Sequence, residues 1–212
     1  SNNDGCVIAR SNEAKRLGIR MGEPAFKLRD IIKKNHVNVF STNFALYGDM
    51  SMRVMNTLSS IIPNLEIYSI DEAFLDLSDF KYNKLLEVGC LIRRKILQDI
   101  GIPVSIGAGR TKTLSKIAGN IAKKSNMNEG VFILHDYLED AVLESVPIEK
   151  IWGIGKKLSI FLHKYEIYTA KDLRDIELKW IQKKINITAK KIVEELRGIP
   201  CMNIESETKN KK

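Results

Sequence analysis

Residues Tyr68 to Leu77 read YSIDEAFLDL, a strand-like run that sets two carboxylates, Asp71 and Glu72, side by side at its centre. Successive side chains of a straight strand point to opposite faces, so one of the two would be driven inward. Burying an unpaired carboxylate is expensive. A tight turn over Ser69 to Glu72, entered by Glu66 to Tyr68 and left by Ala73 to Leu77, removes the conflict, because both acids then project from a hairpin tip. Two like charges that close repel each other unless a cation neutralises them, and hard oxygen donors suit Mg²⁺. From these ten residues alone, ordinary exposed turn acids are the equal alternative.

Two further stretches have the chemistry to meet a phosphate. In SIGAGRTKTLSKIAGNIAKK a strand ending in Gly107 and Gly109 runs into a helix on which Lys112 and Lys116 lie one turn apart, with Lys123 further along. The GxxxxGK[ST] spacing of a Walker loop is absent. In IWGIGKKLSIFLHKYEIYTAKDL the residues Gly153, Ile154, Gly155, Lys156 and Lys157 lead into a helix, where backbone N–H groups and the helix dipole favour an anion. A second short helix near Thr169 to Leu173 completes a helix-hairpin-helix, a device that grips a nucleic-acid backbone without reading bases. The alternatives are a solvated lysine face in the first case and a glycine-rich helix corner in the second. Arg10, Lys15 and Arg16 form another basic group, by default the face of a surface helix.

These residues need elements to hold them. In the first region, to about Thr42, Ser11 is an N-cap for a short helix ended by Gly18, and Pro24 opens a second helix to about Lys34. Next comes a helix from Phe44 to Ile62, with Leu46, Val54, Met55, Leu58 and Ile61 as its apolar positions and Pro63 as its stop. The hairpin, a helix from about Asn83 to Ile100, the β-like IPVSIGAG and the lysine helix to Lys124 follow. The third region begins with the strand GVFIL and is otherwise helical to Pro200. The polar IESETKNKK reads as a linker or frayed end. Short strands among crossing helices make the fold class α+β.

The 212 residues carry 34 Lys and Arg against 26 Asp and Glu, a net charge of +8 that favours a polyanionic partner. Cys6, Cys90 and Cys201 are far apart with no CxxC pair, which reads as reduced thiols in an intracellular protein. His36, His135 and His163 are equally dispersed and do not suggest a zinc site. No apolar run is long enough to span a bilayer. The start at Ser1, without methionine and directly in a turn, suggests that residues precede it.

In their order and spacing SNNDGCVIAR, the EAK-LG pattern through Gly18, MGEP, LYGDMSMRVM, EIYSIDEAF, GAGRTKTLSKIA, GIGKKL and ELRG-PC resemble the Y-family translesion DNA polymerases, and among them the UmuC branch. The resemblance runs nearly the whole length. It implies a right-hand architecture: small fingers at 1–42, a partial palm at 43–123, a helical thumb with the helix-hairpin-helix at 124–200, and at 201–212 a linker to a little finger that lies beyond. It implies error-prone, template-directed synthesis in DNA repair and the SOS response, with two Mg²⁺ ions. Asp71 would hold both, and Glu72 the one that activates the primer hydroxyl. Ser69 would touch the nascent base pair, and Lys116 and Lys15 the incoming triphosphate. Gly153, Ile154, Gly155, Lys156 and Lys157 would hold the DNA backbone.

The implied partners are primed template DNA, deoxynucleoside triphosphates, a UmuD-like accessory subunit, a recombinase filament and a sliding clamp, at the bacterial nucleoid in the cytoplasm. Ala9 and Asn12 depart from the family pattern, standing where many relatives have threonine and tyrosine on the triphosphate. The family's first metal-binding aspartate and its aromatic steric gate would lie before Ser1. Asp4, Asp49 and Asp76, the nearest spare acids by sequence, are not obvious substitutes, and the chain alone is expected to bind DNA weakly and not to polymerise. The rival reading is a DNA-binding module without catalysis. A palm-type cyclase is more remote, because it has no use for the glycine hairpin.

Overall fold

In the computed structural model residues 5–124 and 130–205 are described. The chain divides into two compact units, residues 1–50 and 51–212. Asp4 and part of the SNNDG turn lie outside the described residues.

The first unit contains α1 (Asn12–Arg16), capped as the sequence predicts: the Ser11 hydroxyl oxygen accepts the Ala14 N–H at 3.2 Å. Gly18 and Gly22 have positive φ and turn the chain back. Val7 N–H then donates to Glu23 O at 2.9 Å. The helix expected from Pro24 is split, with a 3₁₀ turn at Ala25–Leu28 followed by α2 (Arg29–Lys34). Pro24 caps that turn in an extended conformation, and Leu28 lies outside the helical region. Ile19 and Leu28 are buried.

α3 runs over Phe44–Ile61. Met55 and Leu58 are buried, whereas Leu46, expected on the apolar stripe, is exposed. β1 (Leu65–Ile67) and β2 (Ala73–Leu75) pair antiparallel with Glu66 opposite Phe74. Alternation gives this hairpin two unlike faces. Leu65, Ala73 and Leu75 pack on the core formed with Met55, Leu58 and Ile62, to which α4 (Leu85–Ile100) adds Ile92 and Ile96. Glu66, Tyr68 and Phe74 take the other side.

β3 (Ile106–Ala108) leads into α5 (Lys112–Lys124), and β4 (Val131–Ile133) lies parallel to β3. GVFIL, placed by sequence at the head of a helical region, is thus the second strand of a sheet shared with β3. A connection through α5 is the usual way to join two parallel strands. Gly107 is what lets β3 lie against α5: a Cβ there would stand 1.9 Å from Gly119 N.

The remaining helices are α6 (Asp136–Ser145), α7 (Lys156–His163), α8 (Ala170–Asp175), α9 (Leu178–Lys184) and α10 (Ile187–Leu196). They share a core of Leu143, Ile148, Leu162, Leu173, Ile181 and Leu196 with Leu114 and Ile117 of α5. α8 starts with a full capping box between Thr169 and Asp172. Burial raises the Asp172 carboxyl, but the Tyr168 and Thr169 N–H groups outweigh that and hold it below the usual carboxylate range.

Glu195 joins the helical part to α5. It is wholly buried, and its Oε2 accepts the Thr113 N–H at 3.0 Å while Oε1 accepts those of Cys201 at 2.7 Å and Met202 at 3.1 Å. Thr111 completes the cap, taking the Leu114 N–H on its hydroxyl and donating to Glu195 O. Residues 201 and 202 are held by these bonds, and Glu205, in the stretch expected to be a linker or frayed end, donates its N–H to Glu66 Oε2 at 2.7 Å. The ELRG-PC motif is therefore a clamp on the start of α5.

Candidate active site

Tyr68 and Ser69 both donate N–H to Glu72 O at 3.0 Å, which closes the turn between β1 and β2. Ile70, Asp71 and Glu72 are exposed on it. The Ser69 hydroxyl donates to Asp71 Oδ1 at 2.7 Å and so fixes that carboxylate. The adjacent acids stand together because the backbone has left the strand there.

α5 faces this hairpin with two lysines in different circumstances. Lys112 Nζ is paired with Glu66, donates to Asn203 O at 2.8 Å and lies 5.0 Å from the Phe74 ring; the Lys112 and Glu66 side chains are only 9% and 15% exposed. That lysine is built into the structure. Lys116 Nζ meets Glu72 Oε2 at 3.0 Å, and the Glu72 side chain is 52% exposed. The Lys116 side chain is only 18% exposed, so the pair is open to water on the carboxylate side alone. Three rings surround Lys116 Nζ: Tyr68 at 4.3 Å, Trp152 at 5.2 Å and Phe74 at 5.8 Å.

Trp152 begins the glycine hairpin. Gly153 has φ +86°, and Gly155, with open space around it, is the N-cap of α7. Lys156 and Lys157 are exposed in the first turn, where N–H groups have no acceptor within the helix. The Ile154 side chain is buried and its N–H donates to Ile151 O at 3.0 Å, so neither the side chain nor the N–H of Ile154 is left for a partner. The glycines lie between a 3₁₀ turn, Ile148–Lys150, and α7, with α8 following.

Lys15 lies on α1 in the first unit, exposed, its Nζ donating to Asn12 Oδ1 at 3.2 Å. Asp76 accepts bonds from Ser78 and from Asn64 at 2.8 Å, and the Ser78 hydroxyl first of all holds it below the usual carboxylate range. It is occupied at the base of the hairpin. Sequence reading missed Glu66, Tyr68, Phe74, Trp152 and Glu195. The one signal for the first three was a strand with large side chains on both faces.

Among the described residues no group of three or more His, Cys, Asp or Glu is placed to hold a metal. The donor set at the tip is two carboxylates. Magnesium is commonly held by one or two carboxylates, with water and substrate phosphates filling the octahedron. Asp71 and Glu72 fit such an ion, whereas the Lys116 ammonium, itself a cation, is no ligand for it and competes for Glu72.

The fold is that of DNA polymerases of the Y family. A structure of a chimaeric Y-family DNA polymerase matches with a TM-score of 0.81 at 26% identity, covering 97% of this chain and 59% of that one. An insertion ternary complex of Dbh DNA polymerase matches at 0.78 and 26%, covering 92% and 56%. Residues 1–120 match the impB/mucB/samB family, and the chain belongs to that family. It is 43% identical over 208 residues to protein UmuC of Salmonella typhimurium, covering 97% of this chain and 49% of that protein. The chain thus spans about half the length of that relative. Among the described residues no helix is long and apolar enough to cross a membrane.

Proposed function

We propose that this chain carries the nucleotidyl-transfer centre of an error-prone, template-directed DNA polymerase that acts on damaged DNA in the bacterial cytoplasm. The observation that carries this reading is the exposed Asp71–Glu72 tip with Lys116 3.0 Å from Glu72. Asp71 and Glu72 would be among the ligands of two Mg²⁺ ions, which would supply activation of the primer 3′-hydroxyl and charge neutralisation at the leaving pyrophosphate. Ser69 orients Asp71 through its hydroxyl and is assigned to the nascent base pair. Lys116, released from Glu72, binds the triphosphate, and Lys15 is assigned the same substrate. Gly153 to Lys157 would take the DNA backbone through main-chain N–H groups other than that of Ile154, which is bonded to Ile151 O, and through two ammonium groups, without base specificity.

In this reading residues 1–42 act as fingers, 43–123 as palm and 124–200 as thumb, with 201–212 leading to a little finger. A UmuD-like subunit, a recombinase filament and a sliding clamp are assigned as partners on family grounds alone.

The test is primer extension by the whole gene product that carries this chain. Asp71→Ala and Glu72→Ala should abolish incorporation and leave DNA affinity nearly unchanged. Lys116→Ala should weaken nucleotide binding by about 1.5–3 kcal/mol, the worth of a charge-assisted hydrogen bond. Extension retained by Asp71→Ala would overturn the assignment. DNA binding with no extension by the unsubstituted protein would favour the module without catalysis.

A further inference from the structure

Lys116 reaches Glu72 through an enclosure the nucleotide reading does not require. A lysine side chain has four rotatable bonds and loses about 2 kcal/mol of rotamer entropy when fixed. Here the rings of Tyr68, Phe74 and Trp152 stand 4.3 to 5.8 Å from its ammonium, which points at Glu72. Ring faces attract an ammonium electrostatically, most strongly that of tryptophan. The rings also fix one another. Tyr68 and Trp152 meet edge to face at 5.4 Å, Tyr68 and Phe74 at 5.6 Å, and Trp152 Nε1–H donates to the Tyr68 hydroxyl at 2.9 Å. Tyr68 and Phe74 belong to the carboxylate hairpin, but Trp152 comes from a segment 84 residues away, immediately before Gly153.

We infer that Trp152, locked by its hydrogen bond to Tyr68, is a positioning residue that holds Lys116 in the direction needed for a nucleoside triphosphate. The inference rests on the assignment of Lys116 to the triphosphate and goes beyond it. It makes the strength of nucleotide binding depend on a residue of the glycine hairpin that touches no part of the nucleotide. A side chain that only filled space would act independently of Lys116. One that works through Lys116 has nothing to add once Lys116 is gone.

A double-mutant cycle separates these. Binding of dATP with Mg²⁺ to the whole gene product on a primed template, with thymine as the templating base and a primer ending in a dideoxynucleotide so that no bond can form, is measured by calorimetry for Trp152→Ala, Lys116→Ala and the double variant. Trp152→Ala should raise the dATP Kd about fivefold, as for loss of one good cation–π contact. Lys116→Ala should raise it more, and the double variant should match Lys116→Ala alone. Trp152→Phe and Tyr68→Phe each keep a ring and remove the shared hydrogen bond. They should give equal, smaller losses that do not add, and they decide the question if the alanine variant fails to fold. An unchanged Kd for Trp152→Ala, or a double variant equal to the product of the single effects, overturns the inference while leaving Lys116 in place. A Lys116→Ala protein that binds dATP normally overturns the nucleotide assignment and the inference with it.

Discussion

Two glycine pairs, Gly107 with Gly109 and Gly153 with Gly155, mark turns that serve different ends. At the first, the structure leaves no room: a Cβ on Gly107 would meet Gly119 N at 1.9 Å, and one on Gly109 would meet the Leu114 carbonyl carbon at 2.8 Å. These are backbone contacts that no side-chain rotation relieves. At the second, a Cβ on Gly155 would have nothing within 4 Å, and its φ of −83° suits any residue. Gly153 is intermediate, with φ +86° and a Cβ position 2.8 Å from Ile192 Cδ1, the end of a flexible side chain. The fold needs glycine at 107 and 109. It does not need one at 155, and a glycine the fold does not need suits a surface that another backbone approaches closely.

The sharpest way to break the comparison is Gly107→Ala. Separating β3 from α5 should cost more than about 4 kcal/mol, the range reserved for severe overpacking, seen as loss of folding or a collapsed denaturation midpoint. Glu195→Ala attacks the same junction from the other side. It leaves three N–H groups without their acceptor and should cost about 2–4 kcal/mol by chemical denaturation. Gly153→Ala, strained by its positive φ, should cost about 1–2 kcal/mol. Gly155→Ala is the decisive case, because stability should stay within about 0.5 kcal/mol while affinity for duplex DNA falls severalfold in a binding titration. Unchanged DNA affinity for Gly155→Ala would remove the distinction between the two pairs.

The carboxylate turn was legible because period-two alternation and two adjacent acids cannot both hold in a straight strand, and the chain resolves the conflict at Tyr68–Glu72. The caps at Ser11 and Thr169 were legible because capping is local chemistry within four residues. The split after Pro24 was not, since a 3₁₀ turn and an α-helix share the same starting residues. Leu46 has the right spacing for an apolar stripe yet is exposed, because periodicity states which residues share a face but not whether anything covers it. GVFIL has the composition of a strand and no mark of its partner, which lies some 25 residues back across α5.

What the sequence determined by itself is the set of local commitments: a hairpin tip with two acids, a helix with two lysines one turn apart, and a glycine hairpin before two more lysines. Each follows from the steric and electrostatic preferences of neighbouring residues. Only the tertiary structure decided which lysine faces which acid. Lys112 and Lys116 look alike in the chain, yet one is enclosed with Glu66 and the tail carbonyl of Asn203 while the other stands against the exposed Glu72. The same holds for Glu195, one of two adjacent acids on α10 until burial presents it to three N–H groups from two other segments. Burial and partnership arise from packing over tens of residues, and no local pattern encodes them.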